Sequence, residues 1–182
     1  MDNTIPAALI GIVLLAVLAL MLRSWRARTR RDAALAAGYP LPGPDTADTV
    51  LATAEAFYVA TTREGRQLER LNIRGLGFRA RALITVTRNG VLLDLVGENP
   101  VFIPMGAITG LEDATWTIDR AVETGGLLLL RWRVQPHADA AGQVVDSYFR
   151  ILDPTDRARV SASIRTEAAG ALHPAAHDES EA

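Results

Sequence analysis

No cysteine occurs among the 182 residues of this chain, no lysine either, and aromatic side chains make up only 5% of it. Without cysteine there is no disulfide framework, no thiolate metal site and no cysteine nucleophile, an absence that suits a cytoplasmic domain. All 19 cations are arginine. Together with the abundant alanine, this reads as a high-GC codon bias before it reads as function. No basic stripe interleaved with aromatics appears in the region expected to fold, so nucleic acid is not an expected partner. The phosphate-cradling patterns GxxxxGK[ST] and GxGxxG are missing, as is the GxSxG elbow of serine hydrolases. The three histidines are His137, in a polar loop, and His173 and His177, which have Pro174 between them near the end of the chain. Two histidines without a placed third ligand make a poor zinc site. No catalytic, cofactor-binding or metal-binding residues are therefore expected, and the chain does not read as an enzyme.

Long apolar runs are also scarce, with one exception. Residues 5–22, IPAALIGIVLLAVLALML, carry no charge. At about 1.5 Å of rise per residue they make a helix of roughly 27 Å, close to the ~30 Å hydrocarbon core of a bilayer. The segment is apolar all round, unlike the one-sided stripe of a soluble surface helix. It predicts a single membrane span. Asp2 is the only charged side chain before it, whereas Arg23, Arg26, Arg28, Arg30 and Arg31 follow within nine residues. Arginine-rich flanks stay inside, which predicts an N-terminus outside and a C-terminal region in the cytoplasm, at the plasma (inner) membrane. A cleaved secretory signal needs its positive charge ahead of the apolar run, so the segment reads as an uncleaved anchor. Trp25 fits the aromatic belt, and with the five arginines it forms the expected membrane-surface set.

The remaining chain leaves room for one small domain. Residues 1–4 are expected to be a short extracytoplasmic end, 23–44 a basic juxtamembrane helix and a proline-rich linker, 45–170 the domain, and 171–182 a disordered acidic tail. Within the domain the periodicity becomes alternating. Residues 57–62 predict a first strand, and residues 63–78 a long connection or irregular edge strand rich in arginine. In residues 79–87, Ala80, Ala82, Ile84 and Val86 alternate with Arg79, Arg81, Thr85 and Thr87, a two-faced strand. Asn89-Gly90 then suits a type I′ turn, and residues 91–96 run back as an antiparallel hairpin.

Further short strands are expected at 101–103, 108–111, 114–118 and 127–134, with Glu112-Asp113 read as a turn. A last strand has Val145, Ser147, Phe149 and Ile151 on one side. Such spacing predicts a small antiparallel barrel or sandwich. A helix follows. Asp153 can cap it, Pro154 suits its first position, and Asp156 favours the positive end of its dipole. Ala158, Ser161, Ile164 and Ala168, with Val160 beside them, form a stripe expected to cover an open end of the sheet.

Seven short antiparallel strands and one capping helix resemble the pleckstrin-homology (PH)-like superfold. More narrowly, Gly75-Leu76-Gly77-Phe78-Arg79-Ala80-Arg81 leading into 83–90, then Val101-Phe102-Ile103-Pro104 and Ile108, resembles the single-pass, membrane-anchored PH-like proteins of actinobacteria. The resemblance implies a non-catalytic binding or scaffold module at the membrane, taking a protein segment or the anionic membrane surface. Relatives of the superfold can bind acidic headgroups through a basic first loop, which makes Arg63, Arg66, Arg70 and Arg74 a candidate ligand loop. An unidentified protein partner, the lipid bilayer and anionic lipid are the expected partners, with no cofactor. A different reading makes the chain an accessory subunit of a membrane transporter or export complex, with a mainly structural barrel and Gly11, Ala7 and Ala8 as a helix-packing patch.

Overall fold

The computed structural model describes residues 4–32, 38–43, 48–73, 75–117, 120–121, 126–135 and 142–172. They belong to two compact units, divided after Ala34. The first is one helix, α1 (Thr4–Asp32), which includes the apolar segment and continues through the arginines. The second is a β domain with a C-terminal helix.

Its strands are β1 (Val50–Arg63), β2 (Arg66–Arg70), β3 (Ala80–Thr87), β4 (Gly90–Leu95), β5 (Val101–Pro104), β6 (Ile108–Ala114), β7 (Trp116–Thr117), β8 (Arg120–Ala121), β9 (Leu127–Arg133) and β10 (Val144–Ile151). Seven run antiparallel in the order β5-β4-β3-β1-β10-β9-β6, and β2 pairs off this path with β1, so the sheet has eight strands. β7 and β8 form a separate two-stranded ribbon. Of the barrel or sandwich expected, a closed barrel does not form: β5 and β6, the two ends of the order, do not pair, and the sheet stays open. The free edge of β5 is instead taken by Tyr39, whose N–H donates to the Phe102 carbonyl at 2.9 Å. The Tyr39 hydroxyl donates to the Arg133 carbonyl at 3.0 Å, across the gap. A residue expected in a plain linker thus straps two strands that the sheet itself leaves apart.

β1 is longer than expected because alanine hid it. Ala52, Ala54 and Ala56 are buried, with Thr53, Glu55 and Phe57 turned outward, an alternation that small side chains with low strand preference conceal. A register shift between Tyr58 and Ala60 against β10 lets Val59–Thr62 be buried on both faces. The β3–β4 hairpin stands where expected, but Gly90 already belongs to β4, where it pairs with Pro104 of β5, and it has no positive φ. Glycine is needed there for space: a Cβ would meet the Ile103 carbonyl and lie 2.6 Å from the Phe102 ring. Glu112 and Asp113, read as a turn, continue β6.

The main core gathers the inward residues of β1, β3, β4, β5, β9 and β10, with Trp132 fully buried. A smaller cluster, Val59, Ala60, Ala114, Leu127, Leu129 and Tyr148, lies apart from it. This is why the four leucines of β9 are buried on both faces. The last helix, α2 (Pro154–Leu172), starts as predicted: Asp153 Oδ1 accepts from the N–H groups of Thr155 at 2.7 Å and Asp156 at 3.0 Å. Val160, Ser161 and Ile164 are buried and Ala168 packs against the core. Ala158 is exposed, its expected place on the stripe being taken by Arg157. The expected tail from 173 onward lies outside the described residues, as do His137, His173 and His177.

Candidate functional site

Three surfaces carry the side chains from which binding can be argued. On α1, Arg23, Trp25 and Arg26 are exposed, while Arg28, Arg30 and Arg31 lie on the same helix with their side chains outside the described set. At about 3.6 residues per turn these positions are distributed around the helix and do not line one face. That distribution suits a collar meeting an interface on every side.

The candidate ligand loop follows β1. Gly65, with φ of 67°, turns the chain, and β2 returns beside β1. Arg66 Nη1 lies 2.8 Å from Glu69 Oε1, and Arg63 Nε lies 3.4 Å from Glu69 Oε2. Arg70 is turned back on the chain, its Nη2 donating to the Val59 carbonyl at 3.4 Å. Arg74 lies outside the described residues. One carboxylate therefore holds two of the four arginines and the backbone a third, so the described part of the loop presents less open positive charge than its sequence suggests.

Beside the loop, Arg131 of β9 gathers three carboxylates. Its Nε lies 2.8 Å from Asp146 Oδ1 and 3.6 Å from Glu64, and its Nη1 lies 3.0 Å from Glu112. Asp146 Oδ2 also accepts the Gly65 N–H at 3.2 Å. The hydrogen bond to Asp146 and the surrounding negative charge hold the guanidinium above its ordinary value, against partial burial. On the other face of β6, Asp113 meets Arg157 of α2 at 2.7 Å. Adjacent acids on a strand point oppositely, and each serves a different arginine.

Inside the domain runs a buried polar chain. Trp132 Nε1 donates to Ser147 Oγ at 3.0 Å, Ser147 and Thr61 hydroxyls meet at 2.8 Å, Thr61 and Tyr58 hydroxyls meet at 2.9 Å, and the Tyr58 hydroxyl donates to the Leu76 carbonyl at 2.7 Å. An indole only donates and a carbonyl only accepts, so the ends set the direction, and four hydrogens serve four contacts. It locks the Gly75-Leu76-Gly77 loop onto the core, helped by Gly75, whose φ of 81° only glycine adopts freely.

The third surface is the outward face of β1, β3 and β4. Here lies a groove of about 740 Å³, bounded on one side by the residues leading into α2. Register sets Glu55 opposite Leu83 and Leu83 opposite Asp94; Phe57 sits opposite Arg81 in the next row. The Arg81 guanidinium stands over the Phe57 ring, 5.9 Å from its centroid. Sequence reasoning missed this face, although a signal existed. Leu83 breaks the alternation of β3 by following Ala82 and preceding Ile84, so one of the three had to face outward.

Among the described residues no group of three acidic or histidine side chains is placed to hold a metal. A central β1 shared by two antiparallel halves, in the order 4-3-2-1-7-6-5 when β2, β7 and β8 are set aside, with one C-terminal helix packed on the core, defines a PH-like fold. The chain belongs to the bacterial PH domain-like family, whose model matches residues 37–165 and so takes in the Tyr39 strap. Among curated proteins, none matches the chain.

Proposed function

We propose that the protein is a single-pass membrane protein whose PH-like domain is a non-catalytic binding or scaffold module at the cytoplasmic face of the inner membrane, with its N-terminus outside. PH-like membership suggests a binding or scaffold role. The observation that carries the membrane part is the state of α1. Over Leu9–Ala27 the helix is long and apolar enough to cross a bilayer, and none of that window is buried by the chain. A core helix of a soluble domain would be covered. Leaving this much apolar surface in water costs about 25 cal/mol per Å², a cost that a bilayer removes. The arginines behind the helix support an anchor over a cleaved signal, because a signal carries its charge in front. A protein segment is favoured as the domain's ligand over anionic lipid, since Glu69 already takes Arg63 and Arg66.

Fractionation of cells expressing the full chain tests the anchor. The chain is expected in the membrane pellet after an alkaline carbonate wash, and a chain starting at residue 37 in the supernatant. Release of the full chain by the wash would exclude an integral anchor.

A further inference from the structure

The outward face of β1, β3 and β4 is an odd surface for a solvated sheet. Phe57 is 39% exposed, Leu83 43%, Val96 74% and Leu152 65%, and Phe57, Leu83, Val96 and Leu152 all line one groove. Antiparallel sheets that meet water on one side normally present polar residues there. Apolar side chains gathered in one groove of this volume, with a few charged groups at its rim, have the make-up of a binding site. The rim decides what fits. Four carboxylates, Glu55, Asp94, Asp153 and Asp156, line the groove, against one cation, Arg81. Two of the four are occupied: Asp153 accepts the first N–H groups of α2, and Asp156 Oδ1 lies 3.3 Å from Arg159. Arg81 is engaged with Phe57.

Glu55 and Asp94 differ. Both are exposed, and neither carboxylate has an ion pair or hydrogen bond among the described residues. Register puts them on either side of Leu83, in one row across three strands. Opposed residues of adjacent strands stand about 5 Å apart, so the two carboxylates bracket an exposed leucine at a distance that the side chains flanking one apolar anchor span. An anionic bilayer surface is repelled by such a rim.

Resting on the reading of the domain as a binding module, we propose that this groove docks a cationic segment of a partner protein, whose apolar side chain packs on Phe57 and Leu83 while flanking arginine or lysine residues pair with Glu55 and Asp94. The apolar contact supplies most of the affinity. The two carboxylates select for basic partners and speed encounter.

The test is photo-crosslinking of the full chain in its own membrane. Benzoylphenylalanine replaces Leu83 in one variant, Val96 in a second and, as a remote control, Leu68 in a third. The adduct peptide is identified by mass spectrometry. Expected from positions 83 and 96 is a protein peptide with at least two basic residues beside the linked apolar one. Its yield should fall about tenfold when Glu55→Gln and Asp94→Asn are combined, as the loss of two exposed ion pairs of up to ~1 kcal/mol each implies. Circular dichroism of the combined variant checks that these exposed substitutions leave the fold intact. Glu55→Arg with Asp94→Arg should abolish the adduct. A lipid adduct, an adduct to a second copy of this chain, or a yield indifferent to both charge variants overturns the proposal. Adducts at Leu68 alone overturn the groove and leave the binding-module reading standing. Adducts at none of the three positions count against both.

Discussion

Ser147 accepts the Trp132 N–H, which has no other acceptor in the buried chain, and donates its own hydrogen to Thr61. Replacing it with alanine strands the buried Trp132 N–H and removes a contact of Thr61. We expect a loss of about 1–3 kcal/mol, seen as a lower urea midpoint at unchanged slope. Gly90→Ala should cost about as much for a different reason, since its Cβ runs into the Ile103 carbonyl and backbone cannot step aside cheaply. Asp153 gives a prediction in pH. The backbone N–H groups of Asp156 and Thr155 hold its carboxyl below the ordinary 3.8. A folded value below the unfolded one means stability that is complete above the unfolded value and is lost as pH falls through the folded one. The urea midpoint should therefore drop as pH is lowered below about 4, and Asp153→Asn, which caps without a charge, should flatten that drop. Asp48, lowered by hydrogen bonds from Thr87 and Asn89 that outweigh its burial, adds a slope of the same sign.

Elements tie together through few residues, and two of those ties test the architecture. Tyr39 straps β5 to β9 by one backbone and one side-chain hydrogen bond. A domain starting at residue 45 should be less stable than one starting at 37, and Tyr39→Phe should recover part of the difference, losing only the hydroxyl contact at about 1 kcal/mol. Arg131 links β9 with β6, β10 and the β1–β2 turn. Arg131→Met leaves the Asp146 side chain, only 2% exposed, with the Gly65 N–H as its remaining partner, and about 2 kcal/mol should be lost, more than for Arg131→Lys. At this scale the sequence was legible where a pattern acts alone. The place of the β3–β4 hairpin, the inward face of β10 and the start of α2 follow from alternation and capping, whereas the type I′ turn expected at Asn89-Gly90 does not form with Gly90, which lies in β4 without a positive φ. It was not legible where a neighbour decides. Glu112-Asp113 looks like a turn until Arg131 and Arg157 are placed on opposite sides of β6, and Ala158 looks like a core position until Arg157 reaches Asp113.

The described residues form an apolar helix and a PH-like sheet with its C-terminal helix, and these were expected from the sequence, because hydrophobic length and strand periodicity are properties of the chain itself. That the sheet stays open was not, since it depends on where the short β5 ends and on a tyrosine outside the strands. The outward groove was hidden for a related reason: whether Leu83 meets core or water is decided by register with β1 and β4.

The central claim is an anchor that places this domain on the cytoplasmic side, and the absence of cysteine makes one measurement decisive. Single cysteines introduced in the full chain by Asp2→Cys and, separately, by Glu98→Cys can be probed with a membrane-impermeant maleimide in intact cells and again after lysis. The account predicts labelling of position 2 before lysis and of position 98 only after it. Labelling of position 98 in intact cells would contradict it.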